Sequence, residues 1–199
     1  MSRAGQWDVR LFVAVDVPAE VGDVLAELER PVVEGLRWTT REQWHVTLKF
    51  LGEVEDPAPV VAAVAAVPSV LETVEPRRAR APGDTVEASL GPVTAWFPGR
   101  RVLHVPVRGL DLLATAVTRA LADVVDESGS GGPGSHDALP GFFGHLTLAR
   151  QRGRRPGPAR LAGVPVHAEW TVATVSLMGS ALGPGGAVYE EVATSALPR

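Results

Sequence analysis

The first thirty residues combine an apolar run of strand length with a helical stripe. Residues 9–18 read VRLFVAVDVP, an apolar run that ends in a proline and is typical of a strand. Four apolar residues after it recur at helical spacing: Val21, Val24, Leu25 and Leu28. The pattern predicts a strand followed by a helix.

The next segment predicts two strands and a second helix. Residues 36–54 contain a short β-prone run, a polar turn and a longer run that we expect to stop at Gly52. Asp56 and Pro57 then fit the cap and the first position of a helix. We expect this helix to end before Pro68, because proline lacks the N–H that continues the helical hydrogen bonds.

The second half predicts a hairpin, one long helix and a β-rich tail. Residues 87–109 place a Pro-Gly turn between two β-prone runs, and a helical stripe extends from a cap at Asp111 to Val124. The glycine-rich segment 128–141 predicts a flexible loop. In the tail we expect one strand through EWTVATVSLMG, a GPGG turn and a last strand through AVYEEVA.

Two hexapeptides repeat one pattern in a chain with 5 histidines: HVTLKF at 45–50 and HLTLAR at 145–150. Side chains two residues apart on a strand point to the same face. Strict alternation assigns the polar members of the first copy to one face and the apolar members to the other: His45, Thr47 and Lys49 against Val46, Leu48 and Phe50. In the second copy it places His145 beside Thr147 and puts Arg150 on the opposite face.

Each half of the chain therefore offers a strand, a helix and one hexapeptide strand, with hairpins elsewhere. We expect an α+β fold of two similar antiparallel-sheet lobes, pseudo-twofold symmetric, with helices outside and a central cleft. No linker divides the lobes, so residues 1–199 are predicted to form a single bilobal domain. The flexible part of the glycine-rich loop, about 128–136, is expected to be a surface excursion.

Composition excludes several classes of protein. Apolar residues make up 45% and charged residues 21% of the chain, and no apolar run approaches the roughly 20 residues of a membrane span. The net charge of -4 disfavours a general nucleic-acid coat. The lack of cysteine removes thiol catalysis and thiolate metal sites. No export signal is evident, so a cytoplasmic location is expected.

Two imidazoles with neighbouring hydroxyls suit acid–base chemistry at a phosphodiester. The unperturbed pKa of histidine, about 6.5, allows one ring to accept a proton while the other donates one. Threonine hydroxyls can donate hydrogen bonds to phosphate oxygens that gain charge in the transition state. The residues predict a catalytic pair, His45 and His145, with Thr47 and Thr147 as phosphate-binding groups.

A metal site is the competing use of paired histidines. First-row metals usually add carboxylate or thiolate ligands, yet neither hexapeptide contains an acidic residue and HExxH spacing is absent. A GxSxG nucleophile elbow is absent as well. We therefore expect neither a metal nor another cofactor.

The ordered landmarks resemble those of the two-histidine phosphoesterase superfamily, in its RNA 2′,3′-cyclic phosphodiesterase (2′-5′ RNA ligase-like) branch. They are RLFVAVDVP, RW, HVTLKFLGEV, WFPGRRVLHVPV, HLTLAR and SLMGSALGPGGAVYEEV, covering roughly residues 10 to 192. The resemblance implies metal-independent hydrolysis of 2′,3′-cyclic phosphates to 2′-phosphomonoesters. It casts His145 as proton acceptor and His45 as proton donor. Gly144 departs from the proline that the family commonly has there.

Further contacts to substrate are expected near the two motifs. Arg150 matches a family position, although strict alternation turns it away from His145. Lys49 shares a face with His45 but lies about 13 Å along the strand, which suits a distal phosphate. Phe142 or Phe143 offers a ring on which a base can stack. The basic run at 150–160 is a candidate surface for an RNA backbone.

Two other functions stay open. One is a cyclic phosphodiesterase for a different substrate, such as an ADP-ribose cyclic phosphate or 2′-5′ oligoadenylate. The other is a non-catalytic nucleotide-binding module, although binding alone does not need two proton-transfer groups. The expected partners are RNA 3′ ends or cyclic nucleotides as substrate, with no membrane, no stable protein partner and a monomeric state.

Overall fold

The computed structural model describes residues 10–74, 85–124, 141–183 and 186–198. Ten strands are found in these ranges: β1 (Arg10–Asp16), β2 (Leu36–Trp38), β3 (His45–Glu53), β4 (Val86–Leu90), β5 (Ala95–Trp96), β6 (Val102–Arg108), β7 (His145–Gln151), β8 (Ala168–Val172), β9 (Thr174–Gly183) and β10 (Gly186–Ala196). Three α-helices accompany them: α1 (Ala19–Ala26), α2 (Ala58–Val74) and α3 (Asp111–Ala120). Over the described ranges, no helix combines the length and apolar character that a bilayer crossing requires.

The strands form one antiparallel sheet whose order is symmetric about its centre. The order is β10-β9-β1-β3-β7-β6-β4-β8, with β2 added to β7 and β5 added to β6. The two hexapeptide strands, β3 and β7, are the central neighbours, and the next strand outward is β1 beside β3 and β6 beside β7. The predicted α+β fold with two similar antiparallel halves is confirmed. The predicted flexible loop at 128–136 lies outside the described residues.

One hydrophobic core extends through both halves. It is built from the apolar stripes of the three helices and from alternate residues of the strands. Val46 and Leu146, both 0% exposed, face each other across the central strand pair and join the two halves of this core. We call the helix-covered side of the sheet the core face. The opposite side carries His45 and His145, and we call it the histidine face.

The helix after β3 is longer than expected. We predicted an end before Pro68, but α2 continues to Val74 with Pro68 inside it. The apolar stripe of the helix continues past the proline to Leu71, which is 1% exposed. Burial of that last turn offsets the lost hydrogen bond. Asp56 does cap the start, since its carboxylate accepts a 3.0 Å hydrogen bond from the Ala58 N–H.

Two other boundaries differ from prediction. The stripe after Asp111 is helical only to Ala120, and residues 121–124 form turns. The prediction of a single strand through EWTVATVSLMG is wrong, because the strand is interrupted at Ala173 and two strands with different partners form. β8 pairs with β4 at one edge, whereas β9 pairs with β1 in the other half. This connection carries the chain from one half to the other without a glycine or proline to mark it.

A β-bulge interrupts the alternation in the first hexapeptide. Ala14 pairs with Thr47 and Val13 pairs with Lys49, which leaves Leu48 as the extra residue of β3. Directly paired residues share a face, so Lys49 joins the buried Val13 on the core face. The prediction that Lys49 shares a face with His45 is therefore wrong.

The second hexapeptide contains the same irregularity at the same position. His104 pairs with Thr147 and Leu103 pairs with Ala149, which makes Leu148 the extra residue of β7. Beyond the bulge, Arg150 pairs with Val102 and lies on the histidine face, where it is exposed. Strict alternation placed it on the opposite face, so that prediction is also wrong. The bulge turns Arg150 toward the candidate site.

Candidate active site

The four predicted site residues meet where the central strands come together. β3 and β7 pair at one point, Val46 opposite Leu146. Extending this antiparallel register by one residue in each direction places His45 opposite Thr147 and Thr47 opposite His145. The two histidines then occupy a diagonal of this arrangement, with Cα atoms about 7–8 Å apart. Each ring thus has a hydroxyl directly across from it and another imidazole within reach of a shared ligand.

The two threonine side chains lie on the histidine face and are not used in other hydrogen bonds of the described residues. Thr39, which follows β2, shares its hydroxyl proton between the backbone carbonyls of Thr147 and Leu148, each 2.9 Å away. Within the described ranges, neither Thr47 nor Thr147 has a side-chain hydrogen bond. Both side chains are half-buried, so their hydroxyls remain available to a ligand.

His45 is held in an aromatic environment formed by β1 and β10. Its ring lies 4.9 Å from that of Phe12 and meets the ring of Tyr189 edge-on at 4.9 Å. Burial lowers the pKa of the His45 imidazole to about 4. A hydrogen bond to the backbone of Gln43 acts in the opposite direction, while the charges of Arg150 and His145 lower the pKa further. His45 is therefore neutral near pH 7 in this state, although part of it stays open to solvent.

His145 has a similar but separate environment on the other half. Its Nδ1 atom lies 3.0 Å from the carbonyl oxygen of Phe143, two residues earlier, just as His45 bonds to the backbone two residues before it. The ring meets Phe97 edge-on at 4.9 Å and lies 5.7 Å from His104. His104 is 3% exposed, and its ring stacks on that of Phe97 with the centroids 3.9 Å apart, so it is a buried support for the rings around His145. These contacts fix both rings at corresponding positions.

The aromatic residues before the second motif divide their roles. Phe142 packs against the hydrophobic core, which makes it a poor surface for a base. Phe143 is 42% exposed, and its ring lies 6.1 Å from that of His145. A Cβ atom at Gly144 would lie 2.4 Å from the carbonyl oxygen of Val107. The glycine thus allows the close approach that leads into β7.

Two residues that sequence reasoning left without a role complete the site. Arg37 on β2 pairs directly with Arg150, so both guanidinium groups project from the histidine face. Tyr189 is the only tyrosine in the chain. Burial raises the pKa of Tyr189, and the charges of Arg150 and Arg37 offset part of that rise. The sequence alone does not show that β10 places this phenol beside His45.

Comparison with known proteins finds similarity to one family. A family model described as LigT like Phosphoesterase matches residues 15–82, which include the first hexapeptide. The structure of TT0787 of Thermus thermophilus aligns over 94% of this chain and 97% of its own, with 28% identity and a TM-score of 0.72. E. coli LigT complexed with NADP+ aligns over 96% of this chain and 99% of its own, with 25% identity and a TM-score of 0.63. The chain is thus similar to LigT-like phosphoesterases in sequence over residues 15–82 and in fold over nearly its whole length.

A curated relative supports the same family over a shorter segment. It is the RNA 2′,3′-cyclic phosphodiesterase of Methanocaldococcus jannaschii, 35% identical over 49 residues. The alignment spans 24% of this chain and 28% of that relative. The resemblance drawn from the ordered landmarks is confirmed at the level of the LigT-like phosphoesterase family. In this LigT-like domain, both hexapeptide histidines lie on the face of the sheet opposite the helices.

Proposed function

We propose that this LigT-like phosphoesterase hydrolyses RNA or nucleotide 2′,3′-cyclic phosphates to 2′-phosphomonoesters without a metal. One observation carries the proposal: two His-x-Thr units share a face where β3 meets β7, at the pair Val46 and Leu146. A phosphate between the rings has a proton acceptor on one side, a donor on the other and hydroxyl donors at both. Across the described ranges, no three His, Asp or Glu side chains gather as a metal site.

The proposed reaction is an attack of water on phosphorus with loss of the 3′ oxygen. One imidazole takes a proton from the attacking water as its oxygen bonds to phosphorus. The bond from phosphorus to O3′ breaks, and the other imidazole gives that oxygen its proton. The phosphate stays on O2′, which yields a 2′-phosphomonoester and a free 3′ hydroxyl. Thr47 and Thr147 donate to the non-bridging oxygens as their charge grows.

The order of the two roles follows the resemblance, with His145 as acceptor and His45 as donor. For His45 this requires the substrate, because its pKa is about 4 in the unliganded site. An anionic phosphate beside the ring stabilises the imidazolium form and raises that pKa. The reverse order, in which neutral His45 is the acceptor, is the alternative.

A substrate with sulfur in place of O3′ separates the two orders. A thiolate leaves without the proton that an alkoxide needs, since thiol pKa values lie near 8.5. With His45 as donor, His45→Ala recovers most of its lost rate on the sulfur substrate and His145→Ala does not. Recovery by His145→Ala alone would establish the reverse order.

The relatives support a nucleotide as the substrate class. The archaeal relative is named an RNA 2′,3′-cyclic phosphodiesterase, and E. coli LigT has been solved in complex with NADP+. In this chain, the exposed ring of Phe143 beside His145 can stack on a base. Phe142, packed on the core, and Lys49, on the core face, receive no substrate contact in the proposal.

The test is hydrolysis of an oligoribonucleotide that ends in a 2′,3′-cyclic phosphate, in the presence of EDTA. We expect turnover, with a 2′-phosphomonoester as the product by ³¹P NMR. No turnover, turnover abolished by EDTA, or a 3′-phosphomonoester product would each refute the proposal. A panel with an ADP-ribose cyclic phosphate and 2′-5′ oligoadenylate distinguishes the related activities. A nucleotide that binds without turnover would instead indicate a binding module.

A further inference from the structure

Arg37 and Arg150 form a like-charged pair, and the proposed hydrolysis step assigns neither guanidinium group a role. They are direct partners in the β2–β7 register, and both lie on the histidine face. Like charges directly opposite each other on neighbouring strands destabilise a sheet. Within the described part of the chain, the recorded ion pairs are Arg41 with Asp23 and His167 with Glu169, so neither member of this pair has a carboxylate partner there.

Their surroundings hold the two guanidinium groups near the catalytic pair. The guanidinium of Arg37 packs on the backbone of Gly186 at the start of β10, where a Cβ would overlap it. The charge of Arg150 reaches the ring of His45, and both arginines act on the hydroxyl of Tyr189. Tyr189 in turn meets His45 edge-on at 4.9 Å. His45, Tyr189, Arg150 and Arg37 are therefore successive neighbours on the histidine face.

Two carboxylates on the same face, those of Asp16 and Glu191, form no ion pair with either arginine within the described residues. The Ser176 hydroxyl donates a 3.0 Å hydrogen bond to the Asp16 carboxylate, and a Glu191 carboxylate oxygen lies 3.5 Å from the same hydroxyl. Arg150 follows Thr147 by three residues, one of them in the bulge, so its Cα lies about 7 Å beyond the threonine. A phosphate at the threonines and an anion at the arginines can therefore belong to one ligand.

The two halves of the sheet differ at this position. The bulges make Phe50 of β3 the counterpart of Arg150, since Phe50 pairs with Phe12 as Arg150 pairs with Val102. The His-x-Thr units are thus duplicated, but the positive charge is present on one side only. Positive charge on one side only suits a ligand that has one anionic group besides the reacting phosphate and that binds in a single orientation.

Building on the proposed function, we propose that Arg37, with Arg150, binds a second phosphate of the substrate, the one on the 5′ oxygen of the terminal nucleoside. Guanidinium groups bind phosphate oxygens through two parallel hydrogen bonds, and two of them can share one phosphate. The enzyme then prefers substrates in which the nucleoside bearing the cyclic phosphate also has a phosphate on its 5′ oxygen. A 5′-phosphorylated nucleotide and the 3′ end of an RNA both meet this condition, whereas the nucleoside cyclic phosphate alone does not.

The test compares two substrates that differ only in that phosphate: adenosine 2′,3′-cyclic phosphate and its 5′-phosphorylated form. We expect kcat/KM of the wild type to be about tenfold or more higher for the 5′-phosphorylated substrate, as charged hydrogen bonds are worth this much. In Arg37→Ala the ratio falls toward one, and in Arg37→Lys it is partly kept. Arg119→Ala is the control, because it removes an exposed arginine from α3 on the other side of the sheet.

The outcomes separate this inference from the proposed function. Equal kcat/KM values for the two substrates in the wild type would refute the second phosphate site while leaving the hydrolysis intact. The same follows if Arg37→Ala lowers both values by one factor, or if Arg119→Ala changes the ratio as much as Arg37→Ala does. No turnover of either substrate by the wild type would refute the proposed function itself.

Discussion

At the scale of single residues, two matching motifs acquire different surroundings. His45 sits between Phe12 and Tyr189, whereas His145 sits among Phe97, Phe143 and His104. The sequence predicted the two imidazoles and two hydroxyls because strand periodicity needs only local spacing. It could not predict the aromatic neighbours, since these come from strands distant in the chain. The environment of His45, not the motif, lowers the pKa of its ring.

Removing one threonine hydroxyl should slow the reaction without unfolding the protein. Thr47→Val and Thr147→Val keep the side-chain shape but delete a donor to the phosphate. We expect kcat to fall about a hundredfold in each, as for a lost oxyanion donor. Steady-state kinetics on a 2′,3′-cyclic phosphate measures this, with Thr115→Val on α3 as the control. Rates within a few-fold of the wild type would exclude the hydroxyls from the transition state.

The lowered pKa of His45 should appear as a pH dependence of stability. The imidazole has a pKa of about 6.5 in the unfolded chain and about 4 in the folded protein. Between these values the unfolded chain binds more protons, so stability falls as the pH decreases from 6.5 to 4. The contribution is at most about 3 kcal/mol. It is fully present above pH 6.5.

Urea unfolding at pH 7 and pH 4.5 measures this effect. The wild type should lose about 2 kcal/mol more on acidification than His45→Gln, in which the titrating ring is absent. His167→Gln, an exposed ring, is the matched control and should behave like the wild type. Equal losses in wild type and His45→Gln would mean that His45 titrates normally.

At the scale of elements, the bulges decide which side chains reach the site. The sequence predicted the strands at the two hexapeptides because their apolar residues alternate. It could not predict the extra residues Leu48 and Leu148, since a bulge depends on the partner strand. A one-residue shift in register moves the side chains after it to the opposite face of the sheet. Arg150 is therefore on the histidine face and Lys49 is not. The same limit explains the break at Ala173, where the chain changes partner strands.

The proline inside α2 gives a prediction at this scale. Pro68→Ala restores an N–H to the helix and removes the ring that crowds the preceding turn. We expect the free energy of unfolding to rise by about 1 kcal/mol or more, with no change in turnover, because α2 lies on the core face. Urea unfolding is the measurement, with the exposed neighbour Ser69→Ala as control. A less stable Pro68→Ala protein would show that the proline fits a distortion the helix needs.

At the scale of the whole molecule, a shared core ties the two halves together. Val46 and Leu146 lie at the centre of the sheet, and the hydrophobic cluster around them includes residues of all three helices. The sequence predicted two similar halves from their repeated order of elements. It could not predict which strands would meet at the centre. That meeting point is also what brings the two histidines together.

Truncating the central core residue should weaken both halves at once. Leu146→Ala removes buried methyl groups and should cost about 2–5 kcal/mol. Because the core is continuous, we expect hydrogen exchange to accelerate in peptides from β1 and from β6 alike. Exchange detected by mass spectrometry provides the measurement, and Leu112→Ala on the exposed side of α3 is the control. Acceleration confined to β6 and its neighbours would indicate two independent cores.

The most direct test of the convergence of two imidazoles on one phosphorus is the single-turnover rate of each histidine variant. With a 2′,3′-cyclic phosphate at saturating enzyme and in EDTA, we expect His45→Ala and His145→Ala each to lose about a hundredfold or more. His167→Ala, outside the site, should keep the wild-type rate. If either His45→Ala or His145→Ala reacts as fast as the wild type, the two rings do not act on the same phosphate.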